Sequence, residues 1–128
     1  MELTINDLRL GDYVMIADYP MKPEIGQIHP EHFMRSLLKF EGIPLTGEIL
    51  EKNGFKNYKN MYYTYQLDDG IWLEYYPHEH RLTRICETVD EWENHSKVRD
   101  ITFKCHCYYV HELQSALKLC YAPIQIKL

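Results

Sequence analysis

The alternation of apolar and polar residues is clearest in the middle of the chain, where it predicts a β-hairpin. Residues 61–67 and 71–76 alternate, and the turn between them, Asp68-Asp69-Gly70, ends in a glycine suited to a positive φ. Pairing Leu67 with Ile71 sets the register. One face then carries Met61, Tyr63, Tyr65, Leu67, Ile71, Leu73 and Tyr75, and the other carries Tyr62, Thr64, Gln66, Trp72, Glu74 and Tyr76. The first face is typical of core. The second is either covered by another element or an exposed aromatic patch.

Helical spacing of the apolar residues appears in three segments. Thr46 can cap a helix over residues 47–53, and Gly54 fits the left-handed stop that ends many helices. Residues 108–121 predict an amphipathic helix that packs on the sheet. A less regular pattern at residues 29–40 indicates a short helix.

The remaining patterned segments favour β-strands. Residues 13–17 follow a Gly-Asp turn, and residues 24–28 come soon after them; this pair resembles the opening of a small SH3-like barrel. Residues 81–87 and 98–105 predict two more strands, separated by an acidic stretch at residues 90–95. Residues 124–128 could add an edge strand. The whole pattern predicts an α+β fold, with a small antiparallel, SH3-like barrel-type sheet, short helices and a C-terminal helix.

Length and composition limit the organisation of the chain. At 128 residues with 45% apolar residues, it matches one domain, residues 1–128, with one core. No apolar run approaches the roughly 20 residues of a membrane span, and the first residues are acidic rather than basic. We therefore expect a cytoplasmic protein without a membrane partner, in which the four cysteines stay thiols.

The charge balance bears on possible partners. A formal net charge of -5 repels phosphate backbones, so nonspecific binding of nucleic acid is disfavoured. The chain also has eleven tyrosines, several of them in pairs. Tyrosine suits a half-buried sheet, but the same rings could form a surface for a partner or ligand.

Cys105-His106-Cys107 is the sharpest candidate for metal chemistry. On a strand, both thiols would point to one face, and His111 could add a third ligand from the first turn of the following helix. However, structural zinc sites usually need a second close pair of ligands, which the sequence lacks. The alternative is that these are ordinary buried cysteines, and we expect no cofactor.

The sequence gives little sign of catalysis. His78-Glu79-His80 has the His-x-Glu order of zinc deaminases but not their Pro-Cys-x-x-Cys partner, and it is typical of a solvated turn. Nucleophile elbows, phosphate-binding glycine loops and His-Glu-x-x-His pairs are absent from the sequence. These observations favour a protein that is not an enzyme, without excluding one.

Three segments carry a resemblance to a known group. They are Asn6-Asp7-Leu8-Arg9-Leu10-Gly11-Asp12-Tyr13-Val14, then residues 42–55 with Ile43-Pro44-Leu45-Thr46 and Gly54-Phe55, then Tyr109-Val110-His111-Glu112-Leu113-Gln114. In this order the chain resembles an uncharacterised family of small proteins from Bacteroides-type bacteria, their phages and mobile elements. The resemblance implies a phage or mobile-element setting and carries no activity. The chain departs from the family after Gln114, where a more aromatic helix and an acidic tail are expected.

Two hypotheses of function follow. The first is a non-catalytic binding or adaptor domain that uses the hairpin face around Tyr62, Trp72 and Tyr76 to hold a protein partner or a second copy of itself in a homodimer. The second is an anti-defence protein that sequesters a nucleotide between such rings and cations such as Arg81, Arg84 or Lys118. His111 and Gln114 are further candidate binding residues, expected on an exposed face of the last helix.

Overall fold

A computed structural model describes residues 2–18, 21–34, 38–90, 92 and 96–128 of the chain. The described strands form two antiparallel sheets accompanied by helices, which confirms the predicted α+β class. The chain divides into two compact units. The first unit contains Met1–Leu45 and Tyr108–Ser115, and the second contains Thr46–Cys107 and Ala116–Leu128. Each unit combines two separate stretches of chain, and the single-domain expectation stays a prediction.

The first unit contains a four-stranded sheet in the order β1-β4-β2-β3. The strands are β1 (Glu2–Leu3), β2 (Tyr13–Asp18), β3 (Glu24–Gln27) and β4 (Leu38–Glu41). Short 3₁₀ helices cover Ile5–Asp7 and Pro30–Met34. The predicted pair of strands at residues 13–17 and 24–28 is confirmed, because β2 pairs antiparallel with β3. The core of the unit is an aliphatic and aromatic cluster of Leu3, Leu8, Val14, Ile28 and Phe40.

The helix predicted over residues 29–40 is wrong at its C-terminal end. Only Pro30–Met34 is helical, as a 3₁₀ turn, and residues 35–37 lie outside the described residues. Residue Phe40 belongs to β4 and pairs with Ile16 of β2. Phe40 is buried whereas Phe33 is 48% exposed. The helical spacing of the apolar residues at positions 29–40 therefore does not correspond to one buried helix face. Pairing with the distant strand β2 determines that Phe40 lies in a β-strand.

The second unit contains a five-stranded sheet in the order β5-β6-β7-β8-β9. The strands are β5 (Lys56–Tyr58), β6 (Tyr62–Asp68), β7 (Ile71–Tyr76), β8 (Arg81–Asp90) and β9 (Ser96–His106). The predicted strands at residues 81–87 and 98–105 are confirmed and extend further. Of the acidic stretch between them, residues 91 and 93–95 lie outside the described residues.

The helix α1 (Gly47–Lys52) begins where the sequence predicts and ends one residue before the predicted end, with Asn53 as its C-cap. The Thr46 side chain accepts a hydrogen bond from the Ile49 backbone at 3.3 Å. At the other end, Gly54 has a φ of +94° and the Phe55 N–H donates to the Leu50 carbonyl at 3.0 Å. This bond and the left-handed glycine form a Schellman motif. Both ends are fixed by residues within the segment itself.

The hairpin of β6 and β7 forms with the predicted faces but a different turn. The observed pairs include Thr64 with Glu74 and Gln66 with Trp72, as predicted, but Asp68 rather than Leu67 pairs with Ile71. A bulge between Gln66 and Asp68 absorbs the extra residue and leaves a two-residue turn. On the predicted core face Leu73 and Tyr75 are buried, whereas Met61 is 62% exposed.

The C-terminal helix α2 (Val110–Leu119) is shorter than predicted, and residues 124–128 form no strand in the described structure. Instead, the Lys127 N–H donates to the Asn53 side chain, whose amide donates to the Lys127 carbonyl. In the described residues both sheets have open strand orders, so the SH3-like barrel is not confirmed. No helix within the described residues is both long and apolar enough to cross a membrane.

Candidate functional site

Strand register in the second unit builds one face around β7. Leu73 and Tyr75 point to the opposite face from Trp72, Glu74 and Tyr76, because alternate residues of a strand face opposite sides. Across the sheet, Glu74 lies at the centre of a row that runs Lys56, Thr64, Glu74, Thr83, Lys104. A second row joins Tyr58, Tyr62, Tyr76, Arg81 and His106. We call this surface the aromatic face, defined by Tyr58, Tyr62, Trp72, Glu74, Tyr76, Arg81 and Arg99.

Glu74 is the buried centre of the aromatic face, at 3% exposure. Its Oε2 atom accepts from the Trp72 indole at 2.6 Å and from Arg99 Nη2 at 2.7 Å, and its Oε1 atom accepts from the Tyr76 hydroxyl at 2.5 Å. A buried carboxylate needs such donors because desolvation otherwise disfavours its charge. The carboxylate therefore fixes the orientation of both rings and of the guanidinium.

Two arginines flank this carboxylate. The Arg99 guanidinium, besides its ion pair with Glu74, lies 5.4 Å from the centre of the Trp72 ring. The Arg81 guanidinium lies 4.9 Å from the centre of the Tyr76 ring and bonds Glu79 at 2.9 Å. The Nε atom of Arg81 is buried and has no hydrogen-bond partner in the described structure. Arg81 therefore has an unused donor beside an aromatic ring.

Three tyrosines of the aromatic face, Tyr58, Tyr62 and Tyr76, form a continuous row of rings. The centre of the Tyr62 ring lies 5.0 Å from that of Tyr58 and 5.3 Å from that of Tyr76, with interplanar angles of 33° and 32°. The pKa of Tyr76 is raised to about 12. Burial is the largest cause, and the hydrogen bond to Glu74 is the second largest. Burial and the Glu74 charge also raise the pKa of Tyr62. Both phenols therefore stay neutral near neutral pH.

A pocket of about 280 Å³ opens on the aromatic face between the two arginines. Its wall is partly apolar, from Tyr76, Ile85 and Ile101, and its polar groups come from Glu74, Thr83, Arg81 and Arg99. The first unit has a pocket of about 310 Å³ beside β2 and β3. The described residues that line it include neither an aromatic ring nor a buried charge. We therefore place the candidate site on the aromatic face.

The ion pair between Arg99 and Glu74 could not be predicted from the sequence. Arg84 pairs with Phe103 but the next residue, Ile85, pairs with Ile101, so Thr102 is an extra residue in β9. Without this bulge Arg99 would lie on the other face of the sheet. The Thr102 hydroxyl bonds the Arg84 carbonyl at 3.2 Å inside the bulge. A single-residue bulge leaves no strong signal in the sequence.

The structure places the other predicted binding residues in the first unit. Gln114 holds the start of β2: its Oε1 atom accepts from the Tyr13 N–H at 2.8 Å and its Nε2 atom donates to the Gly11 carbonyl at 3.0 Å. The expectation that His111 is exposed is wrong, since it is only 6% exposed. Its ring stacks on Tyr109 with centres 5.9 Å apart. The ligand-binding role predicted for both residues stays a prediction.

The cysteine motif keeps only part of its predicted geometry. The Cys105 and Cys107 sulfur atoms are 3.7 Å apart, as the spacing on a strand predicts. His111, the third candidate metal ligand, belongs to the first unit, whereas both cysteines belong to the second. Within the described ranges no group of three or more His, Cys, Asp or Glu residues is arranged to hold a metal ion.

Comparison with known proteins adds no family to this description. No protein-family model, no curated protein and no solved structure matches the chain. The function must therefore be argued from the site itself.

Proposed function

We propose that the chain is a non-catalytic binding domain, and that the aromatic face is its binding surface for a protein partner. The observation that carries the proposal is the network in which buried Glu74 holds Trp72, Tyr76 and Arg99. Tryptophan, tyrosine and arginine are the residues that dominate binding energy at the centres of protein interfaces. Fixing them before binding lowers the entropy lost on association.

The chemistry of Glu74 fits a structural role better than a catalytic one. Both carboxylate oxygens already accept hydrogen bonds from side chains of the same sheet. A general base must reach a substrate proton within hydrogen-bonding distance. A carboxylate engaged in this way serves to position the surrounding rings, which is what a binding surface needs.

Charge favours one kind of protein partner. Glu74 is buried and paired with Arg99, whereas Lys56 and Lys104, at the two ends of its row, are exposed. The two lysines therefore place positive charge at both edges of the aromatic face, although the chain carries a net charge of -5. A homodimer formed by this face alone would oppose like charges under a two-fold axis. We therefore propose an acidic protein segment that also presents apolar side chains.

A displayed library of random peptides, selected on the purified chain, tests this proposal. The selected peptides are expected to combine Asp or Glu with apolar residues, and Trp72→Ala is expected to weaken their binding about 10-fold or more. Lys104→Glu is expected to weaken it about threefold to tenfold and to reduce its salt dependence. Trp92→Ala is the matched control, because that indole is 97% exposed.

The outcomes separate the alternatives. Binding that survives both Trp72→Ala and Lys104→Glu would place the interaction elsewhere and refute the aromatic face. Self-association that Trp72→Ala abolishes would replace the acidic partner by a second copy of the chain. If Trp72→Ala unfolds the chain, Trp72→Phe keeps an aromatic ring at this position and removes the hydrogen bond to Glu74.

A nucleotide is a second candidate ligand, and the pocket between Arg81 and Arg99 favours it. The pocket combines a tyrosine wall with a buried arginine nitrogen that has no partner in the described structure. Bases stack on aromatic rings, and phosphates bind guanidinium groups. This function would be an anti-defence protein that sequesters a nucleotide signal.

Isothermal titration with ATP, with GTP and with a cyclic dinucleotide tests this second candidate. Binding that Arg81→Ala abolishes and Lys59→Ala preserves would support it, because Lys59 lies beside Tyr58 rather than in the pocket. If none of these three ligands binds, this candidate is rejected.

The phage or mobile-element origin belongs to the proposal and is supported by the resemblance of the three sequence segments. The cytoplasmic location and the SH3-like barrel also stay predictions from the sequence.

A further inference from the structure

The pair of thiols at Cys105 and Cys107 lies outside the aromatic face and plays no part in the proposed binding function. The two sulfur atoms are 3.7 Å apart, within contact distance. Cys105 is half-buried near the end of β9, whereas Cys107 is fully buried just beyond that end. We propose that these two residues form a redox-active dithiol, which exchanges with a small-molecule disulfide of the glutathione class to form the Cys105–Cys107 disulfide.

The backbone geometry allows this bond. Residues two apart on a strand have Cα atoms roughly 6.7 Å apart, which is within the upper part of the range for disulfides, about 4.4–6.8 Å. Both side chains leave the same side of the strand, and their sulfur atoms, 3.7 Å apart, must approach to about 2.05 Å to form the bond. Cys107 follows the end of β9, and its backbone is held there: its N–H donates to the His80 carbonyl and its carbonyl accepts from the Tyr75 hydroxyl, both at 2.7 Å.

The difference in burial sets the order of the two steps. The thiolate of half-buried Cys105 attacks the small disulfide, forms a mixed disulfide and releases one thiol. The buried Cys107 thiol then loses its proton and attacks the Cys105 sulfur, and the small-molecule thiolate that leaves takes up a proton to become the second thiol. One small disulfide is reduced to two thiols, and the two protein thiols are oxidised to one disulfide. The small molecule needs to reach Cys105 only.

Cys120 is the alternative partner that the experiment must exclude. Cys120 interacts electrostatically with Cys105, and its own sulfur donates a hydrogen bond to the Leu117 carbonyl at 3.7 Å. Burial raises the pKa of the Cys120 thiol, which lowers the share of the reactive thiolate. The Cys105–Cys107 pair is therefore favoured.

Tryptic mapping of the whole chain after equilibration with mixtures of reduced and oxidised glutathione tests the proposal. After acid quenching, thiols are alkylated and the chain is cut at Lys104 and Lys118, which places Cys105 and Cys107 in one peptide and Cys120 in the next. As oxidised glutathione increases, peptide 105–118 is expected to lose two hydrogen atoms and to escape alkylation. Cys86 is expected to remain alkylated in the same samples.

Variants make the order of steps visible. In Cys107→Ser, or in Cys107→Ala if the serine variant does not fold, Cys105 is expected to keep a glutathionyl group, at least ~10-fold more abundant than in the unmodified chain. In Cys105→Ser, Cys107 is expected to remain a thiol. Cross-linking of peptide 105–118 to peptide 119–127, or alkylation of both Cys105 and Cys107 at every glutathione ratio, would overturn the proposal. Neither outcome bears on binding at the aromatic face.

Discussion

The two units bury carboxylates in different ways. In the first unit, Asp12 is buried and accepts a hydrogen bond from the Arg9 backbone N–H at 2.9 Å, whereas in the second unit Glu74 is buried among side-chain donors. The cluster of Leu3, Leu8, Val14, Ile28 and Phe40 contains no charged group. In the second unit, by contrast, Glu74 is desolvated and satisfied by three side-chain donors. Burial of apolar side chains stabilises a fold without desolvating a charge. A buried charge, by contrast, destabilises the fold unless neighbouring groups form hydrogen bonds or ion pairs with it. The buried carboxylate that orients three side chains therefore lies in the second unit, and this arrangement needs a reason beyond stability.

The largest expected effect on stability comes from a change in the apolar cluster of the first unit. Phe40→Ala is expected to lower the free energy of unfolding by about 3–5 kcal/mol, because it removes a buried ring and leaves a cavity. Phe33→Ala, at a 48% exposed position, is expected to cost less than about 1 kcal/mol. Chemical denaturation measures both. Equal losses would contradict the assignment of Phe40 to a buried strand.

The next largest effect concerns the buried carboxylate. Glu74→Gln keeps the size of the side chain but removes the charge that Arg99 pairs with, and it is expected to cost about 1–3 kcal/mol. The matched control is Glu79→Gln, since the Glu79 side chain is 55% exposed and its ion pair with Arg81 is worth less than about 1 kcal/mol. Denaturation followed by tryptophan fluorescence measures both variants. A loss for Glu79→Gln as large as that for Glu74→Gln would show that burial does not set the difference.

A smaller effect tests the polar contact of the first unit. Gln114→Ala removes two hydrogen bonds to the backbone at Gly11 and Tyr13, and is expected to cost about 1–2 kcal/mol. Gln125→Ala, at an exposed position, is the control and is expected to have no measurable effect. Hydrogen exchange at Tyr13 is expected to speed up in Gln114→Ala. Unchanged stability with weakened ligand binding would instead favour the binding role predicted from the sequence.

The smallest effect at neutral pH is the one from Tyr76. Because the folded pKa, about 12, is above the ordinary value of 10.0, the neutral phenol stabilises the fold below pH 10. This contribution is lost as the pH rises from 10 through 12. Titration by tyrosinate absorbance is expected to show a component near pH 12 that Tyr76→Phe removes and Tyr58→Phe retains, besides the raised titration of Tyr62. An unchanged titration in Tyr76→Phe would contradict the contact with Glu74.

What the sequence predicted well was local. The helix α1 carries its start signal at Thr46 and its stop signal at Gly54, so nine consecutive residues specify it. The hairpin faces also followed from alternation, and they brought Tyr62, Trp72 and Tyr76 together correctly. In each case the stabilising partner is close along the chain.

What the sequence did not predict depends on distant partners. Phe40 is in a strand because Ile16 pairs with it, and Arg99 reaches Glu74 because one extra residue at Thr102 changes which face it occupies. His111 is buried although its place on the helix gave no sign of this. A pattern within one segment does not indicate such long-range contacts. The position of Glu74 beside the aromatic rings was therefore predictable, but its pairing with Arg99 was not.

The division of the chain into interleaved units has a consequence for synthesis on the ribosome. The first unit needs Tyr108–Ser115, which are made only after all of Thr46–Cys107. At about 5–20 residues per second, the early strands wait roughly 3–12 s for this last stretch. The second unit also waits, for Ala116–Leu128. Translation that stops before residue 108 would therefore leave both units incomplete and their apolar residues accessible to chaperones and proteases.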